Sequence, residues 1–244
     1  MLSKNIIKYI RQLEMKKYRS REGVFVAEGP KVVVDLLRRY EAKAVYATDE
    51  WTADTRGISV ERITHDELGR ISFLQHPQQV LALFNIPKPT EHSVTGALSI
   101  ALDGVQDPGN LGTIIRIADW FGIDTIFCSE NTADVYNPKV VQATMGSIAR
   151  VNIIYISLEK LLSSLPDGFP VYGTLLDGED IYRQELTDHG IIVMGNEGNG
   201  ISPAIRKLIN HRLLIPSFRK GDTAESLNVA VATAITCSEF RRRR

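Results

Sequence analysis

Three segments gather residues able to hold a small polar ligand against the main chain and to steer a proton. They are Asp107-Pro-Gly-Asn-Leu-Gly-Thr113, Gly195-Asn-Glu-Gly-Asn-Gly-Ile-Ser202, and Ile215-Pro216 running on to Ser226-Leu-Asn228. Each follows a short apolar run that reads as a strand: Leu98–Leu102, Ile191–Met194 and Leu213–Ile215. Glycine permits φ > 0 and close approach, so exposed amides at such turns suit a nucleotide-like cofactor. Strand ends are also where open α/β sheets bind ligands.

The details narrow the chemistry. Asn110 is expected to cap a helix whose apolar positions Leu111, Ile114, Ile115, Ala118 and Phe121 keep a helical period up to Gly122. Arg116 lies one and a half turns into that helix among isoleucines. It reads either as a surface arginine laying its stem on the helix or as a guanidinium reaching back towards the loop. The second segment spaces its glycines G-x-x-G-x-G (Gly195, Gly198, Gly200), the reverse of the dinucleotide fingerprint, and it lacks the Lys-Ser/Thr pair of a P-loop. Glu197 at its centre would repel phosphates and suits a ribose, an amine or a cation; the alternative is a tight turn needing glycine for conformation alone. In the third, Asp222-Thr-Ala-Glu225 can form a capping box, which puts Ser226 and Asn228 in the first turns of a helix over about 225–240.

The elements that must position these residues alternate. From Ala97 onward, strands at 98–102, 125–128, 151–156, 171–175, 191–194 and 213–215 are separated by helices near 111–121, 138–147 and 158–164, the pattern of a mostly parallel sheet. Before it, a basic first helix, a strand at 23–27, Pro30 at the start of a helix, strands at 44–47, 58–63 and 79–84, and a Thr64-His-Asp-Glu67 capping box make a small α/β unit. Pro87 to Gly96 reads as a linker, giving domains 1–95 and 96–244.

At 244 residues and 43% hydrophobic, the chain can bury one large core or two smaller ones. No run approaches the ~20 apolar residues of a membrane span, and the N-terminus lacks a signal-peptide apolar core, so a soluble cytoplasmic protein is expected. Cys128 and Cys237 form no C-x-x-C and the five histidines no H-x-x-x-H, so no metal site is expected. Net charge is zero but segregated. Residues 1–40 carry ten Lys/Arg against four Asp/Glu, residues 101–240 ten against seventeen, and Arg241–Arg244 close the chain. A basic head and tail around an acidic body suit a polyanion at the head, or simply a solvated helix face.

Taken in order, D-P-x-N-x-G-x-I-x-R, G-N-E-G-x-G-I-S, and I-P followed by E-S-L-N-V-A-V-A resemble the three motifs of SpoU-type (TrmH-like) RNA ribose 2′-O-methyltransferases of the SPOUT superfamily. The resemblance covers about residues 97–240. Residues 1–95, including Phe25-Val-Ala-Glu-Gly29, more loosely resemble the ribosomal-protein-like substrate-binding domain of many members. It implies an α/β fold: a C-terminal, mostly parallel SPOUT sheet tied in a trefoil knot, preceded by a small α/β RNA-binding domain. It also implies bent S-adenosylmethionine as cofactor, no metal, a homodimer, and RNA as substrate, ribosomal RNA before transfer RNA. By position, Gly195, Ile215 and Leu227, with Asn196, Gly200, Thr174 and Leu176, would line the cofactor pocket. Asn110, Arg116, Glu197, Ser226 and Asn228 match the catalytic positions, with Arg116 stabilising alkoxide character on the ribose. The stretch between Pro216 and Ser226 is longer and more charged than the family's turn, and Arg219 and Lys220 there are candidates for RNA contact. The readings set against this one are a base-methylating SPOUT relative, a non-catalytic RNA-binding or ribosome-assembly factor, and an NAD-binding protein.

Overall fold

The computed structural model describes residues 1–55, 57–88, 94, 96–219, 221 and 225–242. In chain order the elements are α1 (Lys4–Gln12), α2 (Lys16–Glu22), β1 (Val24–Glu28), α3 (Pro30–Leu37), β2 (Ala42–Ala47), β3 (Val60–Arg62), α4 (His65–Ile71), β4 (Val80–Asn85), β5 (Leu98–Asp103), α5 (Pro108–Trp120), β6 (Thr125–Cys128), α6 (Pro138–Ala143), β7 (Asn152–Tyr155), α7 (Leu158–Ser163), β8 (Val171–Asp180), β9 (Gly190–Gly195), α8 (Pro203–Arg206), β10 (His211–Leu214) and α9 (Val229–Arg242). They form two compact units, 1–89 with 134–150, and 90–133 with 151–244. Residues 134–150, which the sequence places within the second domain, pack with the first unit.

The first unit is a mixed sheet in the order β1-β4-β2-β3, with helices supplying its core. Ile10, Leu68 and Ile71 come from helices, Leu13 from the end of α1, and Val24, Val26, Leu81 and Leu83 from strands, all essentially solvent-free. The Thr64 capping box forms as read: Thr64 Oγ1 accepts from Glu67 N at 3.2 Å, and Glu67 Oε2 accepts from Thr64 N at 3.0 Å. Gly29, at φ 88°, turns the chain into Pro30 at the head of α3. The single basic helix of the sequence reading is instead two, broken at Leu13–Met15. The break serves Arg19, which is 2% exposed and donates from Nη1 to the carbonyls of Leu13 and Glu14, both at 2.7 Å. Its Nη2 pairs with Asp134, so the same side chain fastens residues 134–150 to this unit. Phe25 stacks on Tyr136 at 4.8 Å between centroids, and Tyr40 donates to Ile148 O at 3.0 Å.

The second unit holds six strands in the order β10-β8-β9-β5-β6-β7, every pairing parallel. Side chains alternate across this sheet. Ala101, Ile191 and Val193 face a core completed by Leu158, Leu162, Ile205 and Ile209. On the unit's second layer α5 and α9 lie side by side, with α9 against β9 and α5 against β6. Arg241 Nε and Nη2 donate to Phe121 O and Gly122 O at 2.7 and 2.8 Å, which caps the carbonyl end of α5. Arg242 pairs with the buried Glu239, so these two arginines of the basic tail hold protein; Arg243 and Arg244 lie outside the described residues. Because the sheet is parallel, the three loops leave β5, β9 and β10 at one edge. Chain order reverses beside β5, between β9 and β6, which is the switch point where such sheets bind ligands.

Arg19→Met removes the charge between two helices and leaves Asp134 and two carbonyls without their donor. A loss of about 3 kcal/mol is expected, against no more than about 0.5 kcal/mol for Arg21→Met at an exposed helix position. Urea unfolding of the two variants checks this.

Candidate functional site

The loop after β5 starts with a cap. Asp107 Oδ1 accepts from Asn110 N at 2.8 Å and Pro108 occupies the first helical position, so α5 begins three residues earlier than expected. This corrects the assignment of the cap to Asn110. An aspartate before a proline already satisfies the free amides of the first turn, which leaves the Asn110 side chain available. It uses both of its polar atoms. Nδ2 donates to Glu197 Oε1 at 3.0 Å, and Oδ1 accepts from Asn228 Nδ2 at 2.9 Å.

Glu197 is the centre of that chain. Besides Asn110 it accepts from the backbone N–H groups of Gln106, at 3.3 Å, and Asp107, at 3.2 Å. Partial burial would raise its pKa. The bonds from Asn110, its own N–H, Gln106 and Asp107 outweigh that and hold the carboxyl below its ordinary value of 4.5. Most of its donors belong to the first loop, while Asn196 Nδ2, at 3.4 Å, donates from the second, so the carboxylate spans both.

The second loop is a tight return. Asn196 and Gly200 exchange backbone hydrogen bonds of 2.9 Å, and Asn196 Oδ1 accepts from Gly198 N and Asn199 N, both at 3.0 Å. Asn196 Nδ2 donates to Gly104 O at 2.7 Å, so its side chain orders loops even though the residue lines the cavity described below. At Gly195 a Cβ would lie 2.3 Å from Gly200 C, so the return closes only over glycine. Asp103 Oδ2 accepts from Ser202 N at 2.7 Å and pins the loop's far end. The nearly buried Ser129 accepts from Gly104 N at 2.8 Å. Asp103 and Ser129 were missed in the sequence; the available signal was a polar residue closing each apolar strand run.

In the third segment α9 starts at Val229. Asn228 Oδ1 accepts from Ala230 N at 2.9 Å and Val231 N at 3.3 Å, which makes Asn228 the cap. Ser226 and Asn228 therefore precede the helix instead of occupying its first turns. The proposed capping box falls on Asp222, Thr223 and Ala224, which with Lys220 lie outside the described residues. Arg219 is exposed.

The second and third loops, with residues 174–177 of β8, line a cavity of about 590 Å³, and the first loop joins it through its bonds to Glu197 and Asn196. All seven residues expected to line a cofactor pocket, Thr174, Leu176, Gly195, Asn196, Gly200, Ile215 and Leu227, line it, as do Glu197 and Ser226. Asn110 and Asn228 join through the hydrogen-bond chain. Arg116 is set apart, on the exposed face of α5, where among the described residues it has no hydrogen bond or ion pair. The cavity fits the sulfonium nucleoside. Its size is that of a small-molecule site, Ile201, Ile215, Leu227 and Val229 offer apolar surface, and its charged lining, Asp177, Glu197 and Glu225 against Arg206, is net anionic, which suits a cation better than a phosphate. Among the described residues no group of His, Cys, Asp or Glu could hold a metal ion, and no helix is long and apolar enough to cross a membrane.

Glu197→Gln keeps the shape but sets an amide N–H against the donors at one of the two carboxylate oxygens. Net of solvent screening the loss is about 1 kcal/mol, roughly fivefold in cofactor affinity, with faster hydrogen exchange at the amides of residues 106 and 107. Since the folded pKa is lowered, the wild-type contribution is complete above about pH 5 and fades as pH falls through that lowered value; the variant shows no such fading. Calorimetry and exchange mass spectrometry check both points.

Residues 97–238 match the SpoU rRNA Methylase family, and residues 4–82 an MRM3-like substrate binding domain. Bacillus subtilis (strain 168) 23S rRNA (guanosine(2553)-2'-O)-methyltransferase RlmP is 31% identical over 241 residues, 96% of this chain and 95% of that one. The 23S rRNA (guanosine-2'-O-)-methyltransferase RlmB of Neisseria meningitidis serogroup B is 32% identical over 229 residues, 89% and 90% of the two chains. A TrmH-family protein from Porphyromonas gingivalis aligns in structure over 100% of both chains, with a TM-score of 0.90 and 43% identity. The AdoMet-bound rRNA methyltransferase from Sinorhizobium meliloti aligns over 100% of this chain and 96% of that one, with a TM-score of 0.88 and 31% identity. With the motif loops, the cavity between them and a match over more than half its length, this chain belongs to the SpoU rRNA methylase family.

Proposed function

We propose that this chain transfers a methyl group from S-adenosylmethionine to a ribose 2′-hydroxyl of RNA, and that Arg116 is the group acting on that hydroxyl. The observation that carries the reading is the cavity lined by the second and third motif loops and residues 174–177, tied through Glu197 and Asn110 to the first loop, whose helix carries a guanidinium with no partner among the described residues. When bound, the cofactor supplies an electrophilic methyl on a cationic sulfonium. The ribose oxygen forms a bond to that carbon as the carbon–sulfur bond breaks, and the hydroxyl proton must depart. A guanidinium stays protonated, so Arg116 donates to the oxygen and stabilises its developing negative charge, while an RNA phosphate or water takes the proton. Asn110, Glu197 and Asn228 fix the loops, and Ser226, at the cavity and without a hydrogen bond among the described residues, orients the substrate.

The substrate we infer is ribosomal RNA. The near full-length likeness to RlmP and RlmB supports it, as does the match of residues 4–82 to a substrate-binding domain, which we assign to RNA capture. A homodimer belongs to the same reading. Trp120 on α5 is 86% exposed and Val231 on α9 is 48% exposed, apolar surface that a second copy would cover. The family's trefoil knot and a cytoplasmic location are likewise inferred from the family.

Purified protein is expected to move labelled methyl groups from S-adenosylmethionine to RNA of a strain lacking the gene, yielding a 2′-O-methylnucleoside in the ribosomal fraction by mass spectrometry. Label in transfer RNA alone would replace the substrate, and none in any RNA would leave a binding factor. Arg116→Ala should lower turnover about a hundredfold or more with cofactor affinity unchanged. Full turnover would remove Arg116 from the chemistry.

A further inference from the structure

β8 leaves the sheet midway. Its pairing with β9 ends at Gly173 opposite Val193, and its pairing with β10 jumps, so that Arg212 lies opposite Gly173 and Leu213 opposite Glu179. Residues 174–178 therefore have no partner in either ladder, and Thr174 to Asp177 line the cofactor cavity. The excursion ends at Gly178, where a Cβ would lie 2.6 Å from Leu213 C, so that only glycine lets it rejoin β10. Leu176 in its middle is 73% exposed.

Two side chains tie this wall to its surroundings. Thr174 Oγ1 donates to Val193 O at 3.4 Å at one end. At the other, the Asp177 carboxylate pairs with Arg206 and lies 3.5 Å from Arg212 Nη1. Arg206 ends α8, which follows the glycine loop, and Arg212 lies in β10, which leads to Ile215. Asp177 thus joins the three chain segments that supply the wall, the loop and the floor of one cavity. We propose that Asp177, with Arg206 and Arg212, is a positioning residue for cofactor binding, holding the 174–178 wall in its ligand-ready shape. The inference rests on the cavity holding S-adenosylmethionine. All three side chains are partly exposed, so the cluster contributes little to the fold. Its effect falls on preorganisation, which appears as affinity.

The test uses the whole chain and three ligands: S-adenosylmethionine, S-adenosylhomocysteine, and 5′-methylthioadenosine, which lacks the amino-acid end. Asp177→Asn and Arg206→Ala should weaken all three by about fivefold, while Asp177→Glu retains affinity within about twofold of wild type. Ligand-free melting should stay near wild type in each. Unchanged affinity would overturn the inference. So would a loss confined to the two ligands with an amino-acid end, which would mean direct contact, or a loss accompanied by an equal fall in ligand-free melting, which would mean a role in the fold. A wild-type chain binding none of the three would overturn this inference and the cofactor assignment together.

Discussion

One carboxylate holds the site together. Glu197, at the crest of the loop after β9, accepts two backbone amides and the Asn110 amide from the loop after β5. Asn110 passes the connection on to Asn228 at the head of α9. Ion-supported hydrogen bonds exceed neutral ones in strength, and each donor here belongs to a segment with no ladder of its own. Asp103 to Ser202 and Asn196 to Gly104 also join the first two loops, but the tie on to the head of α9 runs through this carboxylate and Asn110.

The consequence is a division of labour. The cavity takes much of its surface from backbone and apolar side chains, while the motif's polar side chains mostly bind one loop to another: Asp103 to Ser202, Asn196 to Gly104, Asp107 to its own helix. Arg116 and Ser226 remain without such partners among the described residues, and they are the residues to which we assign chemistry and substrate orientation. Apart from those two, the polar residues of the motifs act through geometry. Small changes there are expected to reach catalysis by displacing the cavity rather than by removing a reacting group.

Much of this was legible in the sequence because it is local. Apolar runs followed by Gly, Asn and Glu marked the three strand ends, the Thr64 box formed as read, and the seven lining positions followed from the family's motifs. The failures have two physical sources. One is competition for a helix start: Asp107 with Pro108 took the cap that Asn110 could have made, and Asn228 caps an α9 that starts only at Val229. Several residues in each stretch can satisfy the same free amides, and only tertiary partners decide. The other source is separation along the chain. Nothing near Asp134 announces the buried Arg19, and nothing near Gly173 announces that β8 will skip five residues against β10, since both are settled by contacts with distant segments.

The claim that Glu197, Asn110 and Asn228 act as one connected unit is tested most directly by a double-mutant cycle on cofactor affinity, with Glu197→Gln and Asn228→Ala made singly and together. Among the described residues the two side chains meet only through Asn110, so a shared unit predicts a double variant scarcely weaker than the poorer single one, a coupling of about 1 kcal/mol. Losses that simply multiply would show that each residue serves its own loop, and the interlocking account would be wrong.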